Sequence, residues 1–370
     1  MTRLDRYIFR QCLTPFLYAL GIATVIVWMT QSLQRADLLV DYHQSLGVFA
    51  RLSALILPSL LAIILPFALF AAALYALQRL HADSEIAVMF AAGVSRFRIA
   101  APLLLLAFAC ALATLWINLD LMPRTYRQLK QEIAQIRADF ASAVLRSGEF
   151  VSVGEGLTIY VDEARPGGQF VGLLIHDYRD PDSPRAYMAR RGVLRDTDAG
   201  PVLYLAEGNV QRAPSDGGAI EITRFDETAI NVSRFNPRSA SLQLEMTERY
   251  LPELLRPDLS KPWDRMNAAA LIAEGHNRLA APLYAFVYVL IALYALIGGP
   301  YNRRGYALRI LAACAAAGAA RVGGFLAQSL AAATGAWWAI HAAPLLMIAV
   351  MAVLLADLRR FHAASQAGAA

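Results

Sequence analysis

The sequence predicts an α-helical membrane protein with six transmembrane helices and an inserted, jelly-roll-like all-β domain. Three observations carry that expectation. Apolar residues make up 57% of the 370 and charged residues only 17%, too oily a balance for a wholly soluble chain. Long charge-free runs fall in two groups, before residue 120 and after residue 278. The polar stretch between them switches to two-residue alternation, the period of strands.

The charge-free runs are 11–34, 52–78, 99–119, 279–302 and 322–356. About 20 residues, rising ~1.5 Å each, cross a hydrocarbon core of ~30 Å. The first four runs therefore supply one span each. The last has 35 residues, too many for one span. Gly335 followed by Trp337 and Trp338 marks a turn at about 332–336, giving a fifth span at roughly 310–330 and a sixth at 337–355. The fifth span contains Arg321. The first run exceeds the ~7–15 apolar residues of a signal peptide and no small-x-small site follows it, so it reads as a span.

The net charge is +5, carried almost wholly by arginine; Lys130 and Lys261 are the two lysines. A nucleic-acid surface would gather such charge on one soluble face. Here the arginines flank apolar runs. With the N-terminus inside, Arg3, Arg6, Arg10, Arg79, Arg96, Arg98, Arg303, Arg304, Arg309, Arg359 and Arg360 all lie on the inner side, whereas the short outer loops hold Arg35 and Arg51. The positive-inside rule then puts both termini in the cytoplasm and residues 120–278 outside. The expected domains are 1–119 with three spans, 120–278 as the outer domain, and 279–370 with three spans and an inner tail.

The outer segment opens with a helix: Tyr126, Leu129, Ile133, Ile136 and Phe140 recur at three- and four-residue steps. Alternation follows in Leu157, Ile159 and Val161, in Ile220 and Ile222, and in Leu242, Leu244 and Met246. Turn clusters at 166–168, 181–184, 200–201 and 214–218 separate the runs. This predicts a small antiparallel sandwich at roughly 148–248. Its oily face is either a plain core or an opening for an acyl chain. Pro252, Pro257 and Pro262 mark 249–263 as a linker, and a helix from about Asp264 leads into span four.

Chemistry-bearing motifs are missing. No two of the six histidines lie within five residues, so no zinc-protease spacing exists. There is no GxSxG elbow, and neither lysine sits in a GxxxxGK[ST] loop. His341 is the one titratable group expected inside the last span, too little for a proton relay. We therefore expect no catalytic residue, metal or cofactor, and energy supplied by another chain.

The inner loop between spans two and three reads RLHADSEIAVMFAAGVSR (79–96). Asp83 or Ser84 is positioned to N-cap a short helix at about 83–93, Glu85 suits its first turn, and Gly93 suits its C-cap. Ile86, Val88, Met89 and Phe90 make its surface oily. Such a helix either docks a motor subunit or lies on the membrane.

This loop resembles the coupling segment of the lipopolysaccharide-export permeases LptF and LptG. The segments ILPFALF (64–70) and EGHNRLAAPL (274–283), the Arg303, Arg304, Gly305 loop and the layout of three spans, outer β domain and three spans are similar too. The SEI-x-VM-x-A-x-G form is closer to LptF than to LptG. The resemblance implies a permease paired with an LptG-like partner and two LptB-like ATPases, passing lipopolysaccharide to LptC- and LptA-like periplasmic bridge proteins. It implies that Glu85 engages an arginine of the ATPase, with Ser84 and Met89 beside it. Arg35 matches the region where the family keeps phosphate-binding cations, although Ser32 stands where some relatives are basic. Arg321 is expected to line the substrate cavity or the partner interface, because a mid-span charge costs ~2.5–3.5 kcal/mol on insertion scales. Glu274 and His276 are expected to form a hydrogen-bonded corner. Other readings are an LptG-type subunit, a lipoprotein-release or mechanotransmission permease, which usually has four spans, and a non-transporting membrane sensor.

Overall fold

A computed structural model of the chain describes residues 2–34, 46–144, 148, 150–152, 156–165, 169–178, 184–197, 200–212, 220–231, 244–298 and 306–367. These form two compact units. One holds the described residues up to 127 and from 245 onward; the other holds those between 128 and 244.

The helical unit opens with α1 (Arg3–Leu33), α2 (Leu46–Ala54), α3 (Leu57–Ala82), α4 (Glu85–Ala91) and α5 (Arg96–Trp116). Thr2 and Asp5 form a capping box on α1, satisfying two of its first orphan N–H groups. A π-helical turn, Ile117–Leu121, joins α5 to α6 (Met122–Val144), so the helix of span three runs on past residue 121 as the periodicity predicts. After the sheet come a short turn at Met246–Glu248, then α7 (Leu251–Leu255), α8 (Pro262–Ala280), α9 (Leu283–Ile297), α10 (Ala307–Thr334) and α11 (Trp338–Ala367).

Among the described residues five helices are long and apolar enough to cross a membrane, and α8 and α9, bent by 49°, make a sixth if counted as one span. The unbroken fourth span expected at 279–302 is thus interrupted. Pro282 has no N–H to continue the ladder of α8 and instead caps α9. With 15 residues, or about 22 Å at ~1.5 Å per residue, α9 alone falls short of a ~30 Å core. Gly335, at φ +76°, ends α10, in the turn the sequence placed at 332–336. The expected linker at 249–263 contains α7, with Pro252 in its first turn and Leu254 fully buried.

The centre is α3 and α9. Helices α1 and α5 pack on α3, and α5, α10 and α11 pack on α9. Helix α9 buries Ala285, Val287, Tyr288, Val289, Leu293 and Leu296 around its circumference, as a helix apolar on every side must. By contrast α1, α10 and α11 leave Ile22, Ile26, Met29, Phe325, Leu326 and Leu346 exposed, surface suited to lipid or to another membrane protein.

The second unit carries six antiparallel strands in sequential order: β1 (Phe150–Ser152), β2 (Leu157–Arg165), β3 (Gln169–Asp177), β4 (Arg185–Thr197), β5 (Gly200–Arg212) and β6 (Glu221–Asn231). The described strands thus make one meander rather than two stacked sheets. Ile159, Val161, Leu173, Ile175, Ala189, Leu203, Leu205 and Ile230 share one buried cluster. Ile220 and Ile222, expected to alternate inward, are exposed. Met246, expected in a strand, lies in the turn at Met246–Glu248.

Inward-facing positions change parity midway across the sheet. On β5, Leu203 and Leu205 point inward before the change, but Gly208 and Val210 afterwards. Register aligns the change in each strand along one rung through Asp162, Gly172, Arg190 and Glu207. Gly172 and Glu207 sit there at φ 65° and 56°. Next to this rung a Cβ on Gly208 would lie 2.2 Å from the Met188 carbonyl oxygen. Backbone cannot swing aside like a side-chain tip, so Gly208→Ala is expected to destabilise the sheet by about 1–3 kcal/mol. Faster limited proteolysis within 150–231, with the helical unit still intact, checks this.

Candidate functional site

The hairpin between α3 and α5 carries the expected coupling residues. Asp83 and Ser84 reverse the chain in two residues because Ser84 adopts φ 59°, ψ 10°, in the left-handed region. Ser84 precedes α4 but makes no side-chain capping bond, and α4 starts at Glu85 itself. The capping role expected of Asp83 or Ser84 is therefore not taken up, because the left-handed backbone replaces it. At the other end Gly93, at φ +79°, closes a Schellman motif: its N–H donates to Phe90 O at 3.0 Å and that of Val94 to Met89 O at 2.9 Å. Ser95 Oγ then accepts from Arg98 N at 3.4 Å, opening α5.

Helix α4 packs against α3 and buries Ile86 and Met89. Val88, 66% exposed, points away, and Glu85 is half-buried. Met89, expected on the docking face, thus lies inside this chain. Glu85 is held from α1: Tyr7 Oη donates to Glu85 Oε1 at 2.7 Å, and Gln11 Nε2 donates to Tyr7 Oη at 3.0 Å. Arg98 reaches back to Asp5 at 3.9 Å and donates to Thr2 Oγ1 at 3.4 Å. Tyr7 gave no sequence signal beyond its four-residue spacing from Gln11.

Arg35 lies outside the described residues. Ser32 is buried at the end of α1. Arg321 sits at the middle of α10, half-buried, its guanidinium 4.4 Å from the Phe325 ring and 5.6 Å from that of Tyr284 on α9. Stacking on aromatic faces compensates a cation withdrawn from water. Gly324 permits this: a Cβ there would meet Tyr284 Oη at 2.1 Å.

The expected corner around Glu274 and His276 forms at the opposite end of the bundle from α4. Glu274 accepts from Gln328 at 2.9 Å and from Asn277 at 3.4 Å. His276 Nδ1 and His341 Nε2 are 3.1 Å apart, so His341 is paired rather than solitary. Arg278, 1% exposed, is the anchor. It donates to Arg249 O and Met246 O at 2.7 Å each and to Asn118 O at 3.4 Å, with its Nε 3.3 Å from Glu274. Nearby Arg249 forks onto Asp264 at 2.5 and 2.7 Å, and Arg127 bonds Glu248 O and Glu253. Three arginines thus pin residues 245–264 to the helices. Among the described residues no group of three or more His, Cys, Asp or Glu is placed to hold a metal.

A bundle of membrane-length helices, an inserted sheet and an exposed two-turn helix between two of the long helices define a multi-pass membrane protein. A sequence model of the family described as lipopolysaccharide export system permease LptF/LptG matches residues 6–357, so the chain belongs to that family. It is accordingly an inner-membrane protein and a transporter component rather than an enzyme. A Rickettsia prowazekii protein described only as uncharacterised is 28% identical over 304 residues, 81% of this chain and 83% of that protein. The lipopolysaccharide export system permease protein LptF of Escherichia coli K12 is 26% identical over 229 residues, 61% of this chain and 58% of its own length. LptF of Shigella flexneri matches with the same figures.

Proposed function

We propose that this chain is an LptF-type subunit of an ATP-driven exporter that lifts lipopolysaccharide out of the inner membrane. Both termini and α4 face the cytoplasm and the sheet faces the periplasm, as the arginine bias requires. A second, LptG-like permease completes the membrane part. Two LptB-like ATPases drive it, and LptC- and LptA-like bridge proteins receive the lipid. ATP binding closes the motor pair, α4 transmits the stroke, and α1 and α10 rearrange around the lipid.

One observation carries the reading: a two-turn helix at the arginine-rich end presents Val88 outward beside the half-buried Glu85, on a chain whose sequence has no nucleotide-binding loop. Arg35 is assigned to the phosphorylated headgroup, and Arg321, on its shelf of Tyr284 and Phe325 at mid-helix, to the lining of the substrate cavity or the interface with the partner permease. The membrane-length helices also exceed the four spans usual in lipoprotein-release permeases. The test is gentle detergent extraction followed by identification of the retained proteins and lipid. An ATPase, a second permease and a phosphorylated glycolipid are expected. Recovery of the chain alone, with neither ATPase nor glycolipid, overturns the reading.

A further inference from the structure

We propose that Tyr7 is a positioning residue for the coupling carboxylate, and that through it the first turns of α1 move together with α4. This rests on the reading of Glu85 as the residue that meets the ATPase. Tyr7 and Gln11 are four residues apart on α1 and therefore share one face. Gln11 donates to the phenol oxygen at 3.0 Å, so the phenol proton is directed at Glu85 Oε1, 2.7 Å away. A carboxylate accepts through both oxygens. With Oε1 engaged by Tyr7, Oε2 is left to meet a cation on the motor subunit, and the carboxylate plane is set before docking.

A second tie reaches the same part of α1. Arg98, beyond the end of α4, contacts Asp5 and Thr2. The inner end of α1 is therefore bound on both sides of α4, at Glu85 and at Arg98. Beyond that end α1 packs on α3 and α5 and leaves Ile22, Val25, Ile26 and Met29 exposed. A displacement of α4 by the motor is thus passed to the inner end of α1 through these two ties, in addition to the packing of both helices on α3.

The test uses the assembled complex with its ATPase and partner permease in lipid discs. Tyr7→Phe removes one hydroxyl and keeps the ring. We expect lipid released per ATP hydrolysed to fall about tenfold or more, the lower end of what one hydrogen bond to a charged group contributes. The melting temperature of the complex should stay unchanged. Affinity for the isolated ATPase should fall as well, and Tyr7→Phe combined with Glu85→Ala should bind no more weakly than Glu85→Ala alone. Wild-type release per ATP in Tyr7→Phe overturns the proposal, as does a loss of affinity that adds to that of Glu85→Ala. In both cases a defective Glu85→Ala leaves the coupling role of Glu85 standing. Normal transport by Glu85→Ala overturns that role and the proposal with it.

Discussion

Glu85→Lys is expected to abolish transport and transport-coupled ATP hydrolysis while the helix bundle stays folded. The substitution sets a cation where a motor subunit would offer one. It also takes from Tyr7 its acceptor at 2.7 Å, and puts a positive charge in the first turn of α4, against the local dipole. Reversing one member of a close interfacial charge pair costs about 2–5 kcal/mol, well over a tenfold loss of docking. Ile86 and Met89, which seat α4 on the bundle, are untouched, so the protein should still accumulate in the membrane. Pull-down of the ATPase and glycolipid release from reconstituted complexes measure the effect. Normal export by this variant would remove Glu85 from the mechanism.

Arg278→Ala has the largest expected effect on folding. Its guanidinium serves three backbone carbonyls and borders Glu274 in a space 1% exposed. Buried acceptors left without donors cost about 1–3 kcal/mol each, so the variant should lose at least ~3 kcal/mol. Arg278→Lys should recover little, because one ammonium cannot reproduce a planar fork aimed at several oxygens. Yield of folded protein after extraction and the melting temperature of the complex report the loss. Wild-type values for both variants would show that the turn at Met246–Glu248 is held by something else.

Much of the membrane architecture was legible because bilayer thickness acts on composition. The break at Pro282 was not, since a charge-free run does not say where its helix bends. The sheet was legible as alternation. Its single meander was not, because alternation records one apolar face and leaves open what covers it; Ile220 and Ile222 alternate yet point outward. At the coupling hairpin Glu85 and Gly93 stood out through helix-end chemistry. Tyr7 did not: it is 78 residues from Glu85 in sequence, and a hydrogen bond across that distance leaves no local pattern. Ser84 was expected as a cap because serine usually caps, yet its left-handed backbone turns the side chain to no such use.

Arginine divides the two kinds of information most sharply. The sequence by itself determined that this is a membrane chain and how often it can cross. Those follow from transfer free energies summed over many residues. Only the tertiary structure decided that Arg278, which reads as the polar flank of a span, is the most deeply buried cation among the described residues and a clasp for three carbonyls. It likewise placed Arg321 on two aromatic rings and joined His276 to His341. Hydropathy assigns each charge to water or to its margin, whereas a folded chain can bring carbonyls and rings to a charge from residues over a hundred positions away.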